Sequence, residues 1–189
     1  MGKLVRVGVT LALVASSLAL FSIPTAGAAT SRNVFDVHVG DKFAPPVADP
    51  DVARAANGET TAVRVTGVFD AAAKTASGSG TFEHRASDGT LLNSGTLTIT
   101  GLTAFQFFGC GFTPDGDQLP PNFCGGRAIL TMVAHPAPGV NVDAILTVTC
   151  ELTDGGPPPP GMHEGVHVSV PGHVNFNKSV SGSNIFVEH

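Results

Sequence analysis

Residues 163–167 carry a short pattern whose residue types and spacing suit a defined chemistry. They read H-E-G-V-H, which matches the H-E-x-x-H pattern of zinc hydrolases. On a helix this spacing places His163 and His167 on one face, where both can bind zinc. Glu164 could then act as general base on a zinc-bound water. His173 follows at a distance from which it could supply a third ligand.

The eleven residues that begin at His163 resemble the metzincin family of zinc proteases, whose motif is H-E-x-x-H-x-x-G-x-x-H. The resemblance implies that His163, His167 and His173 are metal ligands. It also implies that Glu164 is the catalytic base of a zinc metalloprotease. The chain departs from the motif at Val170, where the family has glycine, and no methionine follows to form the family's Met-turn.

The local sequence favours a β-strand over the helix that the motif requires. Val166, Val168 and Val170 are β-branched and alternate with smaller or polar residues. In a strand the two histidines of the pattern stand about 13 Å apart, which is too far for one zinc ion. We also expect residues 171–173 to form a hairpin loop. The apolar side chains of the next strand face the same side as those of the preceding strand only if the loop has an odd number of residues. His173 would then lie at the hairpin tip.

Composition and charge restrict the possible functions. Hydrophobic residues make up 42% of the 189 residues and charged residues 13%, with 23 Gly and 14 Pro. This composition is typical of a folded domain rich in strands and turns. The net charge is -5, so we expect no nucleic-acid partner, because a phosphate backbone would be repelled. Trp and Tyr are absent, which disfavours an aromatic carbohydrate-binding platform.

Residues 1–28 are typical of a secretory signal peptide. Lys3 and Arg6 form a positive region, an apolar stretch follows, and small residues lead up to Ala28. The apolar stretch is about 15 residues long, shorter than the roughly 20 that span a bilayer. We therefore predict cleavage after Ala28 and no membrane anchor afterwards. The remaining chain, 29–189, is predicted to be a single secreted, extracellular β-domain.

Three cysteines allow one disulfide and leave one thiol over. An exported protein meets an oxidising environment in which disulfides persist. Cys110 and Cys124 flank a loop rich in proline and glycine, and a disulfide between them would anchor that loop. Cys150 ends an apolar segment that could also lie near Cys124. We predict the Cys110–Cys124 disulfide, with Cys150 left over as a buried thiol.

Period-two alternation recurs over residues 61–189 and predicts a strand-rich core. Turn residues such as Gly, Pro, Asn and Asp bound each segment. The predicted strands lie at about 34–39, 61–69, 79–86, 91–101, 103–109, 127–135, 142–150, 164–170, 174–177 and 183–187.

One short helix is predicted over residues 50–56, within a largely irregular stretch 29–60. Asp49 can cap its first turn, and Pro50 suits the first helical position. Asn57 is followed by a glycine that can end the helix in the left-handed conformation.

The predicted fold is all-β, an antiparallel small barrel of about 8–10 strands or else a two-sheet sandwich. A chain of this kind must hide its strand edges, and both architectures do so. The succession of hairpins without long crossovers favours the barrel.

Phenylalanines cluster around the two cysteines that are predicted to pair. They could form deep core or the wall of an apolar pocket, and we favour core because packing is what apolar clusters usually do. The cluster comprises Phe105, Phe107, Phe108, Phe112 and Phe123.

These observations predict an exported, non-catalytic β-domain without a cofactor. It would bind an unknown partner protein or a small apolar ligand, or serve a structural role in the cell envelope. The alternative is a zinc metalloprotease that uses residues 163–173. A further possibility is a barrel enzyme with an apolar cavity and no recognisable motif, such as an isomerase, because fold alone does not determine function.

Overall fold

Ten antiparallel strands make up the regular structure of this protein. The computed structural model describes residues 33–40 and 49–189, and every regular element within them is a β-strand. The predicted all-β class is therefore confirmed, whereas the predicted signal peptide lies outside the described residues. The strands are β1 (Val34–Val39), β2 (Asp51–Ala55), β3 (Thr60–Asp70), β4 (Thr75–Arg85), β5 (Leu91–Cys110), β6 (Phe123–Pro136), β7 (Val142–Cys150), β8 (Gly165–Ser169), β9 (Asn175–Ser181) and β10 (Asn184–Glu188).

The sheet closes on itself, which makes it a barrel rather than a sandwich. Strands β3 to β6 form a continuous meander that runs the length of the barrel. At one end β1 pairs with residues 65–70 of β3, and β10 pairs with the start of β6. Because β1 also pairs with β10, this end is a ring of β1, β3, β4, β5, β6 and β10, which we call the narrow end.

The opposite end has a longer circumference. There β2 pairs with residues 60–63 of β3, and β7 pairs with residues 126–134 of β6. Strands β8 and β9 lie between β7 and β2, so this end is a ring of β2 to β9, which we call the wide end. Four hairpin loops lie at the wide end, at residues 56–59, 86–90, 137–141 and 170–174.

Strand β5 is one element where the sequence predicted two, at 91–101 and 103–109. Its pairing with β6 shifts register between Ile99 and Gly101 and again between Leu102 and Ala104. Such bulges bend a strand without ending it. The interruption of the alternation near Gly101 therefore marks a bend in a long strand.

The helix predicted over residues 50–56 is wrong. Strand β2 occupies this region, and its buried and more exposed residues alternate with period two. It pairs with β3 on one side and β9 on the other, which satisfies backbone groups on both sides. Asp49, the expected helix cap, instead accepts a hydrogen bond of 2.6 Å from Arg64 Nε. Tertiary pairing outweighs a capping preference worth about 1 kcal/mol.

Phenylalanine rings fill the core of the narrow end. Phe35 of β1, Phe69 of β3, Phe105 of β5 and Phe186 of β10 contact one another, with ring centroids 4.8 to 5.7 Å apart. The core interpretation is confirmed for Phe105, which packs against the buried cluster. Among the other members of the predicted cluster, Phe107 is 46% exposed, and Phe108, Phe112 and Phe123 are half-buried.

A disulfide joins Cys110 at the end of β5 to Cys124 near the start of β6, as predicted. It links the two strands at the narrow end and closes the loop between them. Cys150, at the end of β7, is a buried free thiol, which confirms the prediction that it is left over.

Candidate functional site

The H-E-x-x-H segment forms a strand and not a helix. Residues 165–169 are β8, in which Val166 and Val168 are buried and His167 is exposed. The backbone N–H of Val170 donates to the carbonyl of Val174 at 3.1 Å, which closes the predicted hairpin loop 171–173. The geometry with which a helix brings the two histidines onto one face is therefore not present.

The three histidines of the segment lie in separate surroundings. The His163 side chain is 84% exposed, with Nδ1 3.4 Å from Glu151 Oε1. His167 lies opposite Thr147 of β7 on the outer face, where partial burial and the charge of Arg127 lower its pKa. His173 occupies the tip of the β8–β9 hairpin at the wide end.

Among the described residues, one group of three His, Cys, Asp or Glu side chains has ligand atoms within 4.8 Å of one another. It consists of Cys110, Cys124 and Glu188. Both sulfurs of this group are bonded to each other in the disulfide. The histidines at 163, 167 and 173 do not form such a group.

Glu164, the expected general base, is half-buried where the barrel wall changes from one ring to the other. Its Oε2 accepts a hydrogen bond of 2.9 Å from the backbone N–H of Glu151, just after β7. Its Oε1 accepts one of 2.6 Å from the backbone N–H of Asn184, at the start of β10. Glu164 therefore joins the end of one strand to the beginning of another. We call this region, with Asp51, Cys150, Glu164 and Asn184, the seam.

Two carboxyl groups of the seam titrate abnormally. Burial raises the pKa of Glu164 to about 8, although its two backbone hydrogen bonds oppose the shift. Burial also raises the pKa of Asp51, which is 0% exposed, to about 7. The Asn184 amide and the Ser183 backbone lie close enough to lower the Asp51 pKa, but neither carboxyl oxygen makes a hydrogen bond of good geometry. The thiol of Cys150 has its pKa raised by burial and by the neighbouring charge of Glu164.

A cavity of about 380 Å³ opens inside the wide end of the barrel. Its wall is formed mainly by apolar side chains that point inward from strands β3 to β9. These include Val63, Phe82, Leu97, Met132, Ala144 and Phe176.

A row of polar side chains crosses one wall of this cavity. Thr61 of β3 pairs with His84 of β4, and His84 pairs in turn with Asn93 of β5. All three residues line the cavity. We call these residues the polar row. The tier immediately below it contains Val63 and Phe82, which pair with each other in the same way.

The polar row is fixed by its own neighbours. His84 Nε2 lies 2.8 Å from Glu59 Oε2, and the His84 ring meets the Phe176 ring edge-on, with centroids 5.3 Å apart. Asn93 Oδ1 accepts a hydrogen bond of 2.7 Å from the backbone N–H of Ser94. Thr61 is 3% exposed and makes no side-chain hydrogen bond to any described residue.

The position of this cavity was not predicted from the sequence. The apolar pocket considered above lay near Phe105, which the structure instead packs into the core of the narrow end. The alternation of apolar and polar residues along β3 to β7 does identify which side chains face inward at the wide end. What a single sequence does not reveal is whether side chains as small as Ala134 and Ala144 meet in the middle of the barrel or leave a space.

Within residues 33–40 and 49–189 the protein has no helix of the length and hydropathy needed to cross a membrane. No family model matches the chain, and no curated protein or solved structure matches it either.

Proposed function

We propose that this protein is an exported, non-catalytic β-domain that holds a small apolar ligand inside the wide end of its barrel. The observation that carries the proposal is the apolar cavity of about 380 Å³. Ligand pockets typically range from about 300 to 1,000 Å³ and are lined mainly by apolar side chains with a few polar groups. A ring of eight strands is also the size of barrel that holds one small ligand.

The energetics of packing support a ligand over an unfilled core. Protein interiors contain few voids larger than a water molecule, because each unfilled space forfeits dispersion contacts. Apolar wall left in contact with water also forgoes about 25 cal/mol for each Å². A small apolar molecule would recover both contributions. The four phenylalanines of the narrow end already make such dispersion contacts with one another.

Two features of the chain support the export part of the proposal. Residues 1–28 have the pattern of a signal peptide, and the Cys110–Cys124 disulfide suits an oxidising compartment. Both features support secretion to the extracellular space.

Titration with N-phenyl-1-naphthylamine, whose fluorescence rises in apolar surroundings, tests the cavity. We expect saturable binding by the wild-type protein and loss of binding in Ala134→Trp, because Ala134 lines the cavity. Val133→Trp is the matched control, since adjacent residues on β6 point to opposite faces.

The folded state of each variant is checked by circular dichroism and thermal unfolding. A probe that does not bind the wild-type protein, or that binds a folded Ala134→Trp variant with unchanged affinity, would refute the proposal.

A further inference from the structure

The geometry of the polar row points to the class of ligand: we propose that the wide end binds an apolar alcohol. The hydroxyl group would be held by Thr61, His84 and Asn93, and the hydrocarbon body would lie in the cavity beyond them. This inference rests on the proposed function, because it concerns the ligand of the same cavity.

The hydrogen bonds already made by the polar row determine which groups remain for a ligand. The carboxylate of Glu59 can only accept, so His84 Nε2 carries the proton in their 2.8 Å contact. In the neutral imidazole the other nitrogen, Nδ1, is then an acceptor. The Asn93 oxygen is engaged by Ser94, which leaves the Nδ2 donors without a partner among the described residues. The Thr61 hydroxyl can donate or accept.

The unused groups therefore include His84 Nδ1, which accepts when the ring is neutral, and the donors on Asn93, with Thr61 able to serve either way. A ligand hydroxyl both donates and accepts, so it can satisfy both kinds of group at once. A carboxylate or an ether only accepts, and a hydrocarbon does neither. Leaving a buried polar group without a partner costs about 1–3 kcal/mol, which disfavours those ligands.

Thr61 is the most deeply buried member of the polar row. A hydroxyl on a side chain with so little exposed surface normally has a hydrogen-bond partner. Thr61 has only 3% of its surface exposed, lines the cavity and has no side-chain partner among the described residues. Its position next to His84 in the register makes one ligand group able to reach both.

Apart from His173 in the β8–β9 loop, the remainder of the wall is apolar, so the rest of the ligand must be apolar too. The tier beyond the polar row consists of Val63 and Phe82, and Leu97 and Met132 lie deeper. None of these side chains can form a strong hydrogen bond. A single hydroxyl at one end of a hydrocarbon skeleton fits this division.

Binding of 1-nonanol and of its isomer 1-methoxyoctane by the full protein, measured by displacement of N-phenyl-1-naphthylamine, tests the proposal. The two molecules have the same atoms, but only the alcohol can donate a hydrogen bond. We expect the alcohol to bind about tenfold more tightly, the ratio that corresponds to one net hydrogen bond. Nonanoic acid serves as a third competitor and should bind more weakly than the alcohol.

Two variants locate the interaction. Thr61→Val and Asn93→Leu should each weaken 1-nonanol binding about fivefold to tenfold and leave 1-methoxyoctane binding unchanged. Thr96→Val, on the exposed face of β5, is the control and should affect neither ligand. Retained binding of 1-methoxyoctane shows that a variant is folded with its cavity intact.

The outcomes separate this proposal from the proposed function. If the naphthylamine probe binds in the cavity but the alcohol and the ether compete equally, the alcohol proposal is wrong and the cavity function stands. Tightest binding by nonanoic acid would also overturn it, in favour of an anionic ligand. If the probe does not bind at all, the proposed function itself fails.

Discussion

The two ends of this barrel share strands β3 to β6 but use them in opposite ways. At the narrow end the ring is completed by two strands, β1 and β10, and its interior holds four phenylalanines in mutual contact. At the wide end it is completed by β2, β9, β8 and β7, and small residues such as Ala134 and Ala144 face a cavity of about 380 Å³. Because the ring at the wide end is longer and its inward-facing side chains are smaller, they leave a space between them. One continuous meander thus supports both a packed core and a cavity.

The largest effect we expect is at the seam, where one ring gives way to the other. In the unfolded chain the Asp51 carboxyl loses its proton above pH 3.8. In the folded protein the same carboxyl retains its proton until about pH 7. The same holds for Glu164 between pH 4.5 and about 8. The stability gained from these raised pKa values is therefore complete in acid and is lost as the pH rises. Each group lowers the free energy of unfolding by up to about 1.4 kcal/mol per pH unit within its window.

Urea denaturation at pH 5, 6, 7 and 8 measures this dependence. The wild-type protein should lose stability steadily over the series, and Asp51→Asn should have a shallower slope and be more stable at pH 8. Asp143→Asn, an exposed carboxyl on β7, should keep the wild-type slope. Equal slopes for the wild type and Asp51→Asn would contradict the assignment of a buried, protonated carboxyl to the seam.

Truncation of one phenylalanine at each end compares the free energy of unfolding lost from the packed core with that lost from the cavity wall. Phe69 is fully buried among other rings, so Phe69→Ala should lower the free energy of unfolding by about 3–5 kcal/mol. Phe82 already borders an open space, so Phe82→Ala should cost less, about 1–2 kcal/mol, and admit larger ligands. Chemical denaturation provides both values. Equal losses would mean that the two ends are packed alike.

Removal of the disulfide should weaken the narrow end without altering the ligand site. The double variant Cys110→Ser with Cys124→Ser should be less stable by about 2–4 kcal/mol, because the unfolded chain is no longer constrained. Binding of N-phenyl-1-naphthylamine should persist at temperatures where the variant is folded, since neither cysteine lines the wide-end cavity. Loss of binding by the folded variant would show that the two ends are coupled.

The smallest effect is expected for the histidine of the zinc-hydrolase pattern. His167 lies on the outer face of β8, away from both the phenylalanine core and the cavity. His167→Ala should change the free energy of unfolding by less than about 0.5 kcal/mol. The zinc content of the purified protein, measured by atomic emission, should be the same with and without the substitution. Stoichiometric zinc that is lost in the variant would revive the metalloprotease hypothesis.

Most of the fold could be predicted because alternation is a local property. Val166 and Val168 alternate with polar residues in the sequence, and in the structure both valines are buried while His167 between them is exposed. The failure at β2 has the opposite cause, since Asp49 and Pro50 favour a helix start locally while β3 and β9 determine the conformation from a distance. Glu164 shows the same limit: its partners, the backbones of Glu151 and Asn184, are not chemical signals in a sequence. The cavity depends on side chains from seven strands and was beyond a pattern-based prediction.

All four hairpin loops of the wide end, at 56–59, 86–90, 137–141 and 170–174, surround the mouth of the same barrel. Strands β3, β5 and β6 of these hairpins continue into the narrow end, where the phenylalanine core and the disulfide hold them. Loops of this kind tolerate insertions and sequence change. The molecule therefore has the organisation of a scaffold with a variable rim. Libraries randomised at these four loops would allow selection for new ligands while the framework is left untouched.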